Sequence, residues 1–270
     1  MQMNELSRID GITPDWPLTG VVGVMTTTRA GGVSQGNYAG LNLAAHVGDA
    51  AAAVASNRQR LLAAIECDRI SWLEQVHGID CVRTDRASAA ALPRADAQWT
   101  CEPGVAIAVL TADCLPVVIA QRNGLAIAIA HAGWRGLLAG VLATTLRSLP
   151  YAAADCIAWI GPAISQQVYE VGEDVATAVR QSGAYSAAAD SPAADRASAP
   201  ASNADASGIL AAGAREGKFQ LDLFGLAARE LAGLGIGAVY CERICTAASA
   251  GLYSYRRDGV TGRMATVAWL

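Results

Sequence analysis

The stretch TADCLPVVIAQRNGLAIAIAHAGWRG, residues 111–136, decides how this chain folds. Two apolar runs of strand length, PVVIA (116–120) and LAIAIA (125–130), flank QRNG, and Asn-Gly between apolar runs supplies the positive φ angles of a tight turn. The stretch reads as a β-hairpin with two possible registers. A four-residue QRNG loop makes paired residue numbers sum to 245 and sets Cys114 opposite His131, whereas a two-residue Asn123-Gly124 loop gives 247 and sets Cys114 diagonal to it. Opposite residues of an antiparallel pair hold their Cβ atoms about 4.5–5.5 Å apart, close enough for a thiolate and an imidazole to share one metal ion or one proton. Both residues end their apolar runs, where side chains reach an opening rather than the core.

Outward from the hairpin, GVAIAVL (104–110), CIAWI (156–160) and MATVAWL (264–270) are further short apolar runs, and VVGVMTTT (21–28) has the β-branched content of a strand. IDCVRTD (79–85) alternates with period two. Residues 50–66, LLAGVLATTLRSL (137–149) and FQLDLFGLAARELAGLG (219–235) carry helical periodicity, and RAGGVSQGNYAGLN (29–42) is a glycine-rich loop. The pattern predicts a mixed α/β fold with largely buried sheets and one domain over 1–270. YSAAADSPAADRASAPASNADASG (185–208) has no large aliphatic residue to bury, and is expected to be a flexible surface insertion.

Composition removes some functional classes. At 270 residues and 53% hydrophobic content the chain supports a substantial core, and a net charge of -4 with no basic run argues against nucleic-acid and anionic-membrane partners. The N-terminus has no basic segment leading into an apolar one, and no run of eighteen apolar residues occurs, so a cytoplasmic protein is expected. Seven cysteines, odd in number and without a CxxC pair, fit reduced thiols better than a disulfide framework.

His77, in EQVHG, lies at a helix-to-strand junction. If it joins Cys114 and His131, the set is one thiolate and two imidazoles, a mixture that zinc prefers, and three protein ligands leave the open position of a catalytic site. Beyond His131, Gly133 to Gly136 open a helix whose free N–H groups face the same place, and Arg135 adds a fork-shaped donor for phosphate or carboxylate. The plainer reading of Arg135 is a surface salt bridge, and that of Trp134 is packing on the sheet. Asp113 reads equally as an orienting group for a ligand and as a turn residue.

TTTRAGGVSQGNYAGLNLAAHVGD, EQVHG, TADCLPV, HAGWRG, IGPAIS, YEVG and YSYRRDGVTGR, in this order from about residue 20 to the C-terminus, together resemble the YfiH/laccase-domain family, also called the multicopper polyphenol oxidase or peptidoglycan editing factor family. The resemblance implies a single α/β domain with a mixed β-sandwich core flanked by helices, similar to the catalytic domain of a glutamine-deamidating toxin. It implies His77, Cys114 and His131 as metal ligands and catalytic residues. It also implies zinc-dependent phosphorolysis of adenosine, inosine, guanosine and methylthioadenosine, with deamination of adenosine, so that purine nucleosides and phosphate are the expected partners.

Ligand chemistry weighs the competing family descriptions. A multicopper oxidase needs many histidines and this chain has three, although copper could substitute at a zinc site. Zinc lowers the pKa of a coordinated water toward about 7, which suits attack at C6 of adenosine. Phosphorolysis needs donors for a phosphate dianion, and Arg29, Ser34 and Arg135 are the motif residues with that chemistry. Arg29 equally suits holding its own loop. In YSYRRDGVTGR (253–263), Tyr255, Arg256 and Arg257 sit beside a DG turn, and a solvated hairpin is expected for at least one arginine, because alternate residues of a strand cannot both face a pocket. Val168 stands where many family members have cysteine, which leaves the three ligands intact. The competing readings are a metal-free cysteine hydrolase, with Cys114 as nucleophile and His131 as base, and a non-enzymatic editing partner in peptidoglycan-precursor synthesis.

Overall fold

The computed structural model describes residues 9–182 and 208–270, so the expected insertion at 185–208 lies, but for its last residue, outside the described residues. In chain order the strands are β1 (Gly11–Ile12), β2 (Gly23–Thr27), β3 (Arg69–Ser71), β4 (Cys81–Arg83), β5 (Ala97–Thr100), β6 (Val105–Thr111), β7 (Leu115–Gln121), β8 (Ile127–Ala132), β9 (Cys156–Ile160), β10 (Glu170–Gly172), β11 (Leu210–Ala212), β12 (Lys218–Leu221), β13 (Val239–Cys241) and β14 (Met264–Trp269). The helices are α1 (Ala51–Ile65), α2 (Trp134–Ala139), α3 (Val141–Ser148), α4 (Glu173–Gln181), α5 (Leu223–Gly233) and the single turn α6 (Tyr255–Asp258).

Two mixed sheets carry the fold, one in the order β1-β2-β14-β6-β3 and the other β13-β9-β7-β8-β5-β4, with a small third sheet β10-β12-β11. The period-two alternation of β7 shows how they stack. Val118 and Ala120 join Ile107 and Val109 of β6 in a core between the two large sheets, while Val117 and Ile119 point the other way, into a cluster with Leu142 of α3 and Phe224 of α5. On the far side, Ala106 and Ala108 of β6 pack with Leu61 and Ile65 of α1. The result is a β-sandwich between helices, mixed α/β as expected. Because both faces of each central strand are covered, β6, β7 and β8 read as unbroken apolar runs rather than alternating ones. Burying one Ile or Val there stabilises the fold by about 1.5–3 kcal/mol.

The hairpin takes the register with the sum 247. Pro116 pairs with His131 and Leu115 with Ala132, so Cys114 lies diagonal to His131 on the same face.

Three expectations are corrected. LLAGVLATTLRSL is two helices, because Gly140 adopts φ +94, a left-handed angle that ends α2 before α3 begins. FQL, expected to open a helix, is strand β12; α5 starts only after Asp222, whose carboxylate caps it by accepting the Gly225 N–H at 3.0 Å. YSYRRDGVTGR forms no hairpin at its start but the turn α6, capped by Ser254 Oγ accepting the Arg257 N–H at 3.2 Å. All seven cysteines are free thiols, and among the described residues no helix is long and apolar enough to cross a membrane.

Candidate metal centre and its pocket

His131 closes β8 and Cys114 immediately precedes β7, so the hairpin register alone brings thiol and imidazole to one edge of the sandwich. His77 arrives from the loop between β3 and β4 with φ +59, an angle uncommon for a side-chain-bearing residue. Its Nε2 lies 3.9 Å from Cys114 Sγ, and its ring meets that of His131 edge-on, with centroids 4.7 Å apart. The three donor atoms all fall within 4.8 Å of one another. Gly133 makes this approach possible: a Cβ there would stand 2.8 Å from His77 Cδ2 and 3.2 Å from Cys114 Sγ.

Asp96, fully buried and invisible to motif reading, organises the set. Its carboxylate lies 2.8 Å from His131 Nδ1 and accepts the backbone N–H groups of Val76, His77 and Gly78 at 3.1, 2.9 and 2.7 Å. Burial pushes the Asp96 carboxyl up, but the His131 contact and these N–H groups more than offset it and hold the group below the usual carboxylate range. An ionised carboxylate only accepts, so Nδ1 of His131 carries a proton and Nε2 is the ring nitrogen available to a metal. One buried residue thereby braces the ring of His131 and the backbone that presents His77.

Burial alone would raise the Cys114 thiol and lower the His131 imidazole. Cys114 is instead carried down to about 6 by hydrogen bonds and charge from His131 and His77, and His131 is raised to about 9 by Asp96 and Cys114. Both shifts run toward a thiolate beside an imidazolium, and a metal cation binding there would compete with a proton on His131 Nε2. Two imidazole nitrogens and one thiolate, each within reach of a common point and backed by a carboxylate, fit a metal ion of borderline softness.

The centre opens into a cavity of about 450 Å³. Its walls carry three guanidinium groups, of Arg135, Arg256 and Arg263, and aromatic faces from Trp134, Tyr169 and Tyr255. Arg135 stacks 4.4 Å from the Trp134 ring, and Trp134 itself is half-buried against the core beneath α2. Arg256 stacks 5.2 Å from Tyr169 and donates to the carbonyl of Glu170 at 3.1 Å. Arg263 donates to the carbonyl of Thr261 at 2.9 Å, and burial presses its guanidinium pKa down. Asp113, the carboxylate in this wall, has both oxygens engaged, by the Thr246 hydroxyl at 2.5 Å and the Arg256 N–H at 2.7 Å. It holds φ +97 and ties the Cys114 turn to α6. The cavity is thus cationic and aromatic, suited to an anion beside a flat ring.

Of the residues singled out in the sequence, His77, Cys114, His131 and Arg135 line this cavity. Arg29 and Ser34 are not in its lining. Arg29 stacks 4.7 Å from Tyr253, and Ser34 donates to Asp49 Oδ2 at 2.6 Å while accepting from Asn57 Nδ2 at 2.9 Å. Asn57, buried on α1, also holds the carbonyls of Gly40 and Asn42, so these groups pin the glycine-rich loop. Arg256 faces the cavity while Arg257 turns away, donating to the carbonyls of Thr246, Ser249 and Leu252. Sequence reasoning did not place His46 or Arg263 in the site; both lay inside the motif blocks, with no periodicity to assign them.

Residues 23–270 match the family described as "Multi-copper polyphenol oxidoreductase laccase". The chain is 42% identical over 260 residues to a purine nucleoside phosphorylase of Pseudomonas aeruginosa, covering 96% of this chain and 98% of that one. It is 39% identical to the purine nucleoside phosphorylase YfiH of Escherichia coli over 261 residues, with the same two coverages. Among solved structures, a Neisseria meningitidis protein superposes with a TM-score of 0.83 at 40% identity over 96% of this chain and 98% of that one. YlmD of Geobacillus stearothermophilus superposes at 0.79 and 28% identity over 97% and 99%.

Proposed function

The chain belongs to the multi-copper polyphenol oxidoreductase laccase family, and from that premise we propose that it is a zinc-dependent purine nucleoside phosphorylase that also deaminates adenosine. The observation that carries this reading is the single His77–Cys114–His131 donor set opening into a cavity walled by three arginines and three aromatic rings. The names of the relatives supply the substrate class. Three histidines in the whole chain are too few for several coppers, which sets the oxidase description aside on ligand supply.

Zinc bound there would supply Lewis acidity and lower the pKa of a water molecule. The chain's own residues do the rest. Arg135, with Arg256 and Arg263, holds the phosphate dianion, one of whose oxygens attacks the anomeric carbon of the ribose. The glycosidic C–N bond breaks, its electron pair leaves with the purine nitrogen, and the products are a free base and ribose 1-phosphate. Aromatic faces of Tyr169 and Tyr255 take the flat base, and His131, held by Asp96, keeps one orientation throughout. In deamination, water adds at C6 of adenosine and ammonia departs, with no phosphate needed.

A second reading rests on the register that sets Cys114 beside His131, with pKa shifts that run toward thiolate and imidazolium, the form a metal-free cysteine hydrolase uses. Metal analysis of untagged protein separates the two, about one zinc per chain supporting the phosphorylase. Incubating adenosine with and without phosphate then tests the activity. Adenine formed only with phosphate supports phosphorolysis, inosine formed in both conditions supports deamination, and neither product overturns the proposal.

A further inference from the structure

Away from the metal centre, a second cavity of about 260 Å³ lies between α1, β3 and the short turn at residues 88–90. Two guanidinium groups face it. Arg58 reaches in from α1, with its Nε bound to the Leu43 carbonyl at 2.9 Å and its cation 4.1 Å from the centre of the Trp72 ring. Arg69, from β3, donates Nη1 to the Arg86 carbonyl at 2.6 Å, while its Nε is buried with no hydrogen-bond partner. No aspartate or glutamate lines the cavity, and neither arginine has a carboxylate partner among the described residues; the nearby Asp68 is taken by Arg86 at 2.6 Å. The remaining wall is Leu62, Ile70, Ala89, Ala90 and the flank of Trp72, with the amide of Gln59 as its one uncharged polar group.

The buried Nε of Arg69 is out of reach of the cavity, but neither guanidinium has a carboxylate beside it among the described residues, and a half-buried cation without one is costly. Burial already presses Arg58 below its usual pKa. The small residues Ala89 and Ala90 leave open the space that a longer side chain would fill. Two guanidinium-bearing side chains in one cavity offer donors for the oxygens of a carboxylate, and Leu62, Ile70, Ala89 and the Trp72 flank suit a flat hydrocarbon body. We propose that this cavity is a binding site for a small aromatic carboxylate, its oxygens held by Arg58 and Arg69 and its ring lodged against Leu62, Trp72 and Ala89. It shares no lining residue with the metal-centre cavity and does not depend on the phosphorylase reading.

Benzoate is the probe, added to the full-length, metal-loaded protein while the indole N–H resonance of Trp72 is followed by NMR. The expected result is a saturable shift with a Kd below about 1 mM, weakened at least about tenfold in Arg69→Gln. Ala90→Phe, which fills the cavity from its exposed rim and removes no hydrogen bond, is expected to abolish the shift even if Arg69→Gln perturbs folding. Inorganic phosphate, an anion without a ring, is expected to give no saturation over the same range. A Trp72 resonance that ignores benzoate, a shift unchanged in Ala90→Phe, or tighter binding of phosphate than of benzoate overturns the assignment.

Discussion

Nδ1 of His131 lies 2.8 Å from Oδ1 of Asp96, and the His131 backbone N–H donates to the Asp96 carbonyl at 2.7 Å, so one buried residue grips this histidine at both ring and main chain. The same carboxylate collects three N–H groups from residues 76–78, which places the presentation of His77 under the control of a residue that does not face the cavity.

Asp96→Asn tests that control. The amide keeps the volume but turns a donor toward groups that already donate, leaving at least one of them unpaired. Metal affinity is expected to fall about 10- to 100-fold, and stability by about 1–3 kcal/mol. Chelator competition and urea denaturation measure the two. An unchanged metal affinity would show that Asp96 is structural only.

Cys114→Ala removes the thiolate and leaves two imidazoles, which hold zinc weakly. Loss of both metal retention and nucleoside turnover is expected, with the fold intact by circular dichroism. Full metal occupancy in this variant would sink the ligand assignment.

Gly133 adopts φ −63 and ψ 156, angles open to any residue, so alanine is not strained there by its backbone. Its Cβ would nevertheless press on His77 Cδ2 at 2.8 Å. Gly133→Ala is therefore expected to lower metal affinity while moving the melting temperature by no more than about 2–4 °C, the span of roughly 1 kcal/mol in a domain of this size. Equal loss of fold and metal would assign Gly133 to packing instead.

Arg135→Ala separates the two activities. If this guanidinium holds phosphate, phosphorolysis slows and the KM for phosphate rises about ten- to hundredfold, from a contact worth about 1.5–3 kcal/mol, while deamination changes far less. Adenine and inosine formed from adenosine across a phosphate titration report both. Parallel loss of both activities points to a role in holding the His131 turn.

Glu230 on α5 is raised to about 7 by burial, and its Oε2 has no hydrogen-bond partner among the described residues. A folded-state pKa above the ordinary 4.5 means that the native state holds the proton more tightly. The stabilisation is fully present below 4.5 and is lost as pH rises through about 7. Urea midpoints of the wild type are expected to fall across that window more steeply than those of Glu230→Gln, with the variant the more stable above pH 7. Parallel profiles would remove Glu230 from the account.

Local pattern made much of the fold and half of the site legible. The hairpin follows from two apolar runs around Asn-Gly, and its register was restricted to two values that both bring Cys114 near His131. The buried strands announced themselves by composition because each is covered on both faces. Where the sequence misled, a single residue decided: Gly140 split a helix, and the Asp222 cap began one four residues later than periodicity suggested.

The α/β class, the buried strands and the thiol–imidazole meeting were legible from the residues alone, since these depend on neighbours in the chain or across one tight turn. It took the three-dimensional packing to show that His77, named by the family motif, comes within 4.8 Å of the other two donors, that Asp96 braces them, that Arg256 and Arg263 share the cavity with Arg135, and that Arg29 and Ser34 stay with their loop. Those relationships join segments from residue 29 to residue 263. Contacts between distant segments leave no period in the chain, because they are set by how sheets and helices stack rather than by the spacing of the residues that meet.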